Sequence, residues 1–216
     1  MMPRLTLTFD NGPWPGVTES VLDVLAERDV LATFFVVGEQ LAKPGGRALA
    51  ERARAGGHWI GNHTMTHSVP FGDQPEQAYL EEEITGTQKL LGGLAHPDRL
   101  FRPFGRGGVL DERLLSQPAV DLLTDGDYTM VLWNCVPRDW EDPKGWPDRV
   151  IEELDHTEHV VAVLHDLPTG AMEQLGTFID RVLLDRVEIT QALPDSCVPM
   201  RRGELIGSLD GLVRVS

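Results

Sequence analysis

The stretch Arg4-Leu5-Thr6-Leu7-Thr8-Phe9-Asp10-Asn11-Gly12-Pro13 decides the fold. Leu5, Leu7 and Phe9 alternate with Thr6, Thr8 and Asp10, the period of two expected of a β-strand, and Asn-Gly-Pro then stops it with turn residues. Six further runs rich in β-branched and aromatic residues fall near 31–37, 58–62, 99–103, 127–133, 159–165 and 186–190. Helical spacing fills the intervals. Val17, Val21, Val24 and Arg28 share one helix face, and Leu80, Ile84 and Leu91 share another, with Asp73 and Glu76 spaced as a capping box before it. A helix is expected near 145–155 and another near 169–183, whereas Pro118 is expected to split the segment 111–124. Strands alternating with helices argue for a parallel sheet, and closing that sheet gives an α/β barrel. An open doubly wound sheet is the alternative. The residues after the first strand, TFDNGPWPG, carry neither a dinucleotide fingerprint nor a phosphate loop.

Composition narrows the class. The 216 residues carry 19 Lys and Arg against 34 Asp and Glu, a formal net charge of −15, which disfavours nucleic acid and anionic membrane surfaces as partners. Hydrophobic residues at 41% and charged residues at 25% suit a folded globular chain with no membrane span. Only Cys135 and Cys197 are present, too few for a disulfide framework, and no signal peptide precedes the first strand, so a cytoplasmic location is expected. No repeat or linker divides the sequence, and one domain over 1–216 is expected, with 193–216 as a C-terminal extension without an assigned element.

Residues able to do chemistry fall at successive strand ends. Asp10 and Asn11 end the first strand, His63 and His67 follow the third, and Arg102 ends the fourth. Trp133, Asp139 and Trp140 follow the fifth, and His165 with Asp166 closes the sixth. In a barrel these meet at one mouth. Each is ambiguous alone: with seven histidines in the chain, a pair four apart arises by chance about 0.2 times, and Arg102 or Asp139 alone reads as an ordinary ion-pair or turn residue. Their convergence is the signal. Asp155, His156, Glu158 and His159 form a denser cluster but precede a strand, at the opposite face, and Glu81–Glu83 reads as a charged helix face. Trp14, Trp140 and Trp146 are candidate sugar platforms or packing residues.

Five segments in order, TFDNGP at 8–13, HTMTH at 63–67, FRPFG at 101–105, WNCVPRDW at 133–140 and LHD at 164–166, resemble the five motifs of the polysaccharide deacetylases. This is the NodB homology group, carbohydrate esterase family 4. The resemblance spans residues 5 to about 190. It implies a distorted (β/α)7 barrel, similar to a TIM barrel, and metal-dependent hydrolysis of a non-peptide C–N bond, by default the acetamide of a sugar. Carried over residue by residue, it implies Asp10 as general base, Asn11, His63 and His67 as ligands of a divalent metal, zinc first and cobalt or nickel as alternatives, and Arg102 orienting the base. Asp139 would pair with His165 as general acid, with Phe104 and Trp140 at the substrate. A small molecule or saccharide is the implied partner.

Two departures qualify the resemblance. Phe104 stands where the family commonly has Tyr, which removes a hydroxyl. Asn11 stands where the family has Asp, so the site loses a negative charge beside a dication and metal binding is expected to be weak or absent. Four readings of Asn11 stand: a working amide ligand, a metal-poor or inactive relative that binds without turnover, an engineered substitution, and deamidation at Asn11-Gly12 that restores the acid. A cyclic-amide hydrolase of the allantoinase kind is the alternative activity.

Overall fold

The computed structural model describes residues 2–214. Along the chain run β1 (Arg4–Asp10), α1 (Val17–Glu27), β2 (Thr33–Val36), α2 (Gly38–Ala42), α3 (Gly46–Ala55) and β3 (Trp59–Asn62). Next come α4 (Gln77–Leu80), a π-helical turn (Glu81–Gly86), α5 (Thr87–Leu91), β4 (Leu100–Phe101), β5 (Leu115–Ser116), α6 (Gln117–Asp125) and β6 (Thr129–Met130). The remainder is α7 (Trp146–Leu154), β7 (His159–His165), α8 (Leu175–Leu184), β8 (Glu188–Ile189) and the short strands β9 (Met200–Arg201), β10 (Glu204–Leu205) and β11 (Val213–Arg214).

The main sheet runs β10-β9-β6-β4-β3-β2-β1-β7. The chain leaving β6 meets β7, the strand at one end of that order, through a single parallel bridge, Cys135 to Ala162, in which Cys135 N donates to Val161 O and Val163 N to Cys135 O. That bridge curls the sheet into the expected distorted barrel. The seventh strand is the distortion. β7 pairs with β1 along its whole length, so the other edge of β1 is shared: β2 takes Thr8–Asp10 while β8 takes Arg4 and Leu5. β8 is thus a wedge at the lower rim rather than a full stave.

Because strand side chains alternate, β1 turns Leu5, Leu7 and Phe9 to the helices and Thr6, Thr8 and Asp10 to the interior. The first set packs with Val21 and Leu25 of α1 and Phe178 and Ile179 of α8 in the larger core. Inside the barrel a small cluster of Phe35, Leu100 and Val131 forms an apolar floor. Thr6 spans the lower interior, where His159 Nε2 donates to its hydroxyl at 2.9 Å and that hydroxyl donates to Ala192 O at 2.6 Å. A second core around Phe71, Phe101, Leu114 and Leu123 lies under α4 to α6.

Several expectations need correction. Asp73 does not cap a helix: α4 starts at Gln77 with Glu76 as its N-cap, and Asp73 instead pairs with Arg214 at 2.7 Å. The segment 111–124 does divide near Pro118, into β5 and α6, with the proline in the first turn of α6, where a missing N–H costs nothing. The fifth strand is two residues long rather than seven, since from Val131 on the backbone leaves the regular ladder. Glu83 is not on a solvated face; it is 1% exposed. The C-terminal segment adds β9 antiparallel to β6 and β11 beside β5, and residues 215–216 of the expected extension lie outside the described residues. Cys135 and Cys197 are both buried and unpaired.

Gly61 on β3 faces the interior and leaves room for Phe35: a Cβ there would sit 2.5 Å from the Phe35 ring. Gly61→Ala therefore overpacks the floor and is expected to destabilise the fold by about 1–3 kcal/mol, measured by urea unfolding. An unchanged midpoint would contradict this packing.

Candidate active site

Asp10, Asn11, His63, His67, Phe104, Trp133, Trp140 and His165 line one cavity of about 310 Å³ at the C-terminal rim of the strands. Arg102 and Asp139 lie fully buried behind its wall. Asp10 is the last residue of β1 and 3% exposed. Arg102 follows β4 and lies on the apolar floor, its guanidinium 4.0 Å from the Phe35 ring centroid. It donates from Nη1 to Asp10 Oδ1 at 2.8 Å and to Thr8 Oγ1 at 2.7 Å, and from Nε and Nη2 to the carbonyls of Val131 and Leu132. Burial pulls its pKa down and Asp10 pushes it back up, and a guanidinium remains charged throughout. One oxygen of Asp10 is thus fixed by Arg102, and Oδ2 lies 3.4 Å from His63 Nε2.

The main chain of Arg102 does a second job. Its carbonyl accepts from His63 Nδ1–H at 2.8 Å, which selects the tautomer whose Nε2 lone pair is free. Burial lowers the pKa of His63 to about 3, with the charge of Arg102 adding to it. His67, its ring 4.6 Å from that of His63, is pushed down to about 2 by burial and by His63. Both imidazoles are therefore neutral at neutral pH. Phe104 packs on His67 at 4.1 Å between centroids.

Asn11 sits in the left-handed region at φ 74°, a conformation that Asn tolerates better than most residues, and its Oδ1 is buried with no hydrogen-bond partner. A buried amide oxygen without a donor is costly. His63, His67 and Asn11 all line the same cavity, and two neutral imidazoles with an amide oxygen are a nitrogen and oxygen donor set that suits a divalent metal with positions left for water and substrate. Among the described residues no group of three or more His, Cys, Asp and Glu is placed to hold a metal, so the oxygen of this set would have to come from the Asn11 amide. The cluster at 155–159 offers no such set: His159 turns inward to Thr6 at the opposite face.

On the far side of the cavity His165 ends β7. Asp139 receives both its Nδ1–H, at 2.8 Å on Oδ1, and its backbone N–H, at 2.9 Å on Oδ2. Burial opposes a charge on His165, but the hydrogen bond and charge of Asp139, with Asp10 and Asp166 beyond, outweigh it and raise its pKa above the usual value. Trp140 meets the His165 ring edge-on at 4.9 Å. Trp146 is no platform; it is fully buried and donates to Ala171 O.

The sequence named Asp166 and Trp133 as strand-end residues without a role. Burial raises Asp166 to about 7, and it accepts from Thr18 Oγ1 while filling the space a side chain at Gly12 would need. Trp133 donates from Nε1 to Gly108 O at 3.0 Å and pins the glycine loop against the cavity. Asn62 and Glu83 brace the histidine turn; no sequence signal marks Asn62, and Glu83 reads in the sequence only as part of a charged helix face.

A buried carboxylate held by arginine, two neutral histidines and a carboxylate-backed histidine around one cleft define a hydrolase-type site on a barrel. The comparisons agree. Residues 2–116 match the family model for polysaccharide deacetylase, and the chain belongs to that family. It is 33% identical to a chitooligosaccharide deacetylase of Rhizobium leguminosarum bv. phaseoli over 80% of this chain and 72% of that protein. It is also 33% identical to a peptidoglycan-N-acetylglucosamine deacetylase of Bacillus cereus, over 73% and 66% of the two chains. The chain spans 60–72% of the length of the curated relatives it matches. Among solved structures it resembles the family 4 carbohydrate esterase of Streptomyces lividans in complex with acetate, with TM-score 0.73, 25% identity and coverage of 91% and 96%. The family 4 acetyl xylan esterase of Clostridium thermocellum, solved with a cobalt ion, aligns at TM-score 0.70 and 26% identity over 86% of both chains. Among the described residues no helix is long and apolar enough to cross a membrane.

The Asp139 contact generates a measurable titration. In an NMR pH titration His165 is expected to protonate above the usual histidine value, and Asp139→Asn to bring its pKa down. A His165 pKa unmoved by the substitution would contradict the pairing.

Proposed function

We propose that the protein is a metal-assisted hydrolase that removes the acetyl group from the nitrogen of an amino sugar. The observation that carries this reading is one cavity lined by Asn11, whose Oδ1 lacks a hydrogen-bond partner, by the neutral imidazoles of His63 and His67, and by Asp10, one oxygen of which is already held by Arg102. Asn11, His63 and His67 would hold a divalent ion, zinc in the first instance, which when bound polarises an amide carbonyl and acidifies water.

The protein's own groups supply the proton transfers. Asp10, with Oδ1 fixed and Oδ2 toward the cavity, takes a proton from the attacking water as its oxygen bonds to the acetyl carbon. His165, protonated because Asp139 favours its charged form, gives a proton to the sugar nitrogen as the C–N bond breaks. Acetate and a free amine leave. Trp140 holds the His165 ring in place, and Phe104 holds that of His67. The N–H groups of Gly105, Arg106 and Gly107 would steady the oxyanion, that of Gly108 being already given to Gly105 O. The apolar sides of Phe104, Trp133 and Trp140 offer surfaces for a sugar ring.

The amide ligand makes affinity the test of the metal reading. Asn11→Asp is expected to tighten zinc binding by about 10–100-fold in a chelator competition. Wild-type protein loaded with zinc is expected to release acetate from N-acetylated chitooligosaccharides and to leave cyclic ureides intact. Zinc uptake and turnover gained only by Asn11→Asp would favour the alternative of a metal-poor binding protein, and ring opening without acetate would favour a cyclic-amide hydrolase.

Roles separate in a second measurement. Asp10→Ala and His165→Ala are expected to lower turnover by about 10²–10⁴-fold while zinc content stays near wild type, whereas His63→Ala loses the ion. Equal metal loss in all three variants would contradict this division.

A further inference from the structure

The histidine pair sits on a turn whose backbone is almost wholly accounted for by other parts of the molecule. Thr64 and His67 lie in the left-handed region at φ 66° and 52°, a conformation that non-glycine residues hold only when their surroundings impose it. Thr64 O and Met65 O accept from the amides of Gly38 and Glu39 at the start of α2, each at 2.9 Å. Thr64 N donates to Asn62 Oδ1 at 2.9 Å and His67 N to Thr64 Oγ1 at 3.1 Å. The two remaining amides, Met65 N and Thr66 N, both donate to Glu83 Oε2 at 3.0 Å, and the Thr66 hydroxyl donates to Glu83 Oε1 at 2.7 Å.

Glu83 is 1% exposed and reaches the turn from the π-helical segment between α4 and α5. Such one-turn π segments break a regular helix at a cost and recur at functional sites. Here Ile84, the next residue in that segment, offers its carbonyl to Asn62 Nδ2 at 2.9 Å, so the π turn grips the histidine loop at two points. We propose that Glu83 is a positioning residue whose carboxyl group fixes the His63–His67 turn in the geometry that presents both imidazoles to one ion. The assignment rests on the metal reading above. Its mechanical part, the hold on the turn, does not need the ion.

Two variants separate geometry from mere packing. In Glu83→Gln the amide oxygen can keep both backbone donors, and the amide NH2 can donate to Thr66 Oγ1, whose own hydrogen turns to Ser68 Oγ at 2.6 Å. In Glu83→Ala two amides lose their acceptor. Metal-free wild-type and variant proteins are compared by amide hydrogen exchange, and zinc affinity is measured by chelator competition. Glu83→Ala is expected to lose protection at Met65 and Thr66 by tenfold or more, with β1 amides unchanged, and to weaken zinc binding by about 10–100-fold. Glu83→Gln is expected to stay within about threefold of wild type in both. Wild-type protection and affinity in Glu83→Ala, or equal impairment in Glu83→Gln, would overturn the proposal. If wild-type protein takes up no zinc, the metal reading fails, and unchanged exchange at Met65 and Thr66 in Glu83→Ala would still overturn the positioning role.

Discussion

A guanidinium taken wholly out of water must be given partners, and the interior of this barrel is organised around that need. Arg102 is 0% exposed, its plane lies against Phe35 and Trp133, and its donors reach Thr8, Asp10, Val131 and Leu132. Those four residues come from β1 and from the stretch leaving β6, so one side chain ties opposite walls together. The same residue sets the reactive groups: its side chain holds one oxygen of Asp10, and its carbonyl fixes the tautomer of His63. Removing Arg102 would leave Asp10 buried without its counter-charge, so the aspartate and the arginine form one unit.

Opposite environments then give chemically alike side chains different states. His63 and His67 are held neutral by burial near a cation, as a metal ligand must be. His165, equally enclosed, is biased toward its charged form because Asp139 answers both its ring and its backbone N–H. On the proposed reading the cavity has a ligand side and a proton-donating side, with Asp10 between them. Asn11 adjusts this balance by one charge, since an amide oxygen replaces the family's carboxylate where the ion would sit.

Much of this was legible in the sequence because it depends on local pattern. Strand alternation at 4–10 and the placement of Asp10, His63, Arg102, Asp139 and His165 at strand ends follow from the two-residue period and the barrel's common mouth. Less legible were features that depend on distant partners. Glu83 looked like part of an acidic helix face, yet it falls in the apolar stripe of Leu80, Ile84 and Leu91, and an acid within such a stripe marks a buried polar contact. Asp73 misled because a capping rule fixes a type of position and not its register, whereas Pro118 does mark the start of a helix. The shortness of β6 and the wedge role of β8 reflect tertiary pairing that no run of residues records.

The account turns on one ion site formed by Asn11, His63 and His67 beside Asp10. Crystals of the protein soaked in zinc, with anomalous data collected at the zinc edge, test it most directly. A single strong peak bonded to Asn11 Oδ1, His63 Nε2 and a ring nitrogen of His67 is predicted; an empty cleft under saturating zinc, or a peak only at surface carboxylates, would contradict it.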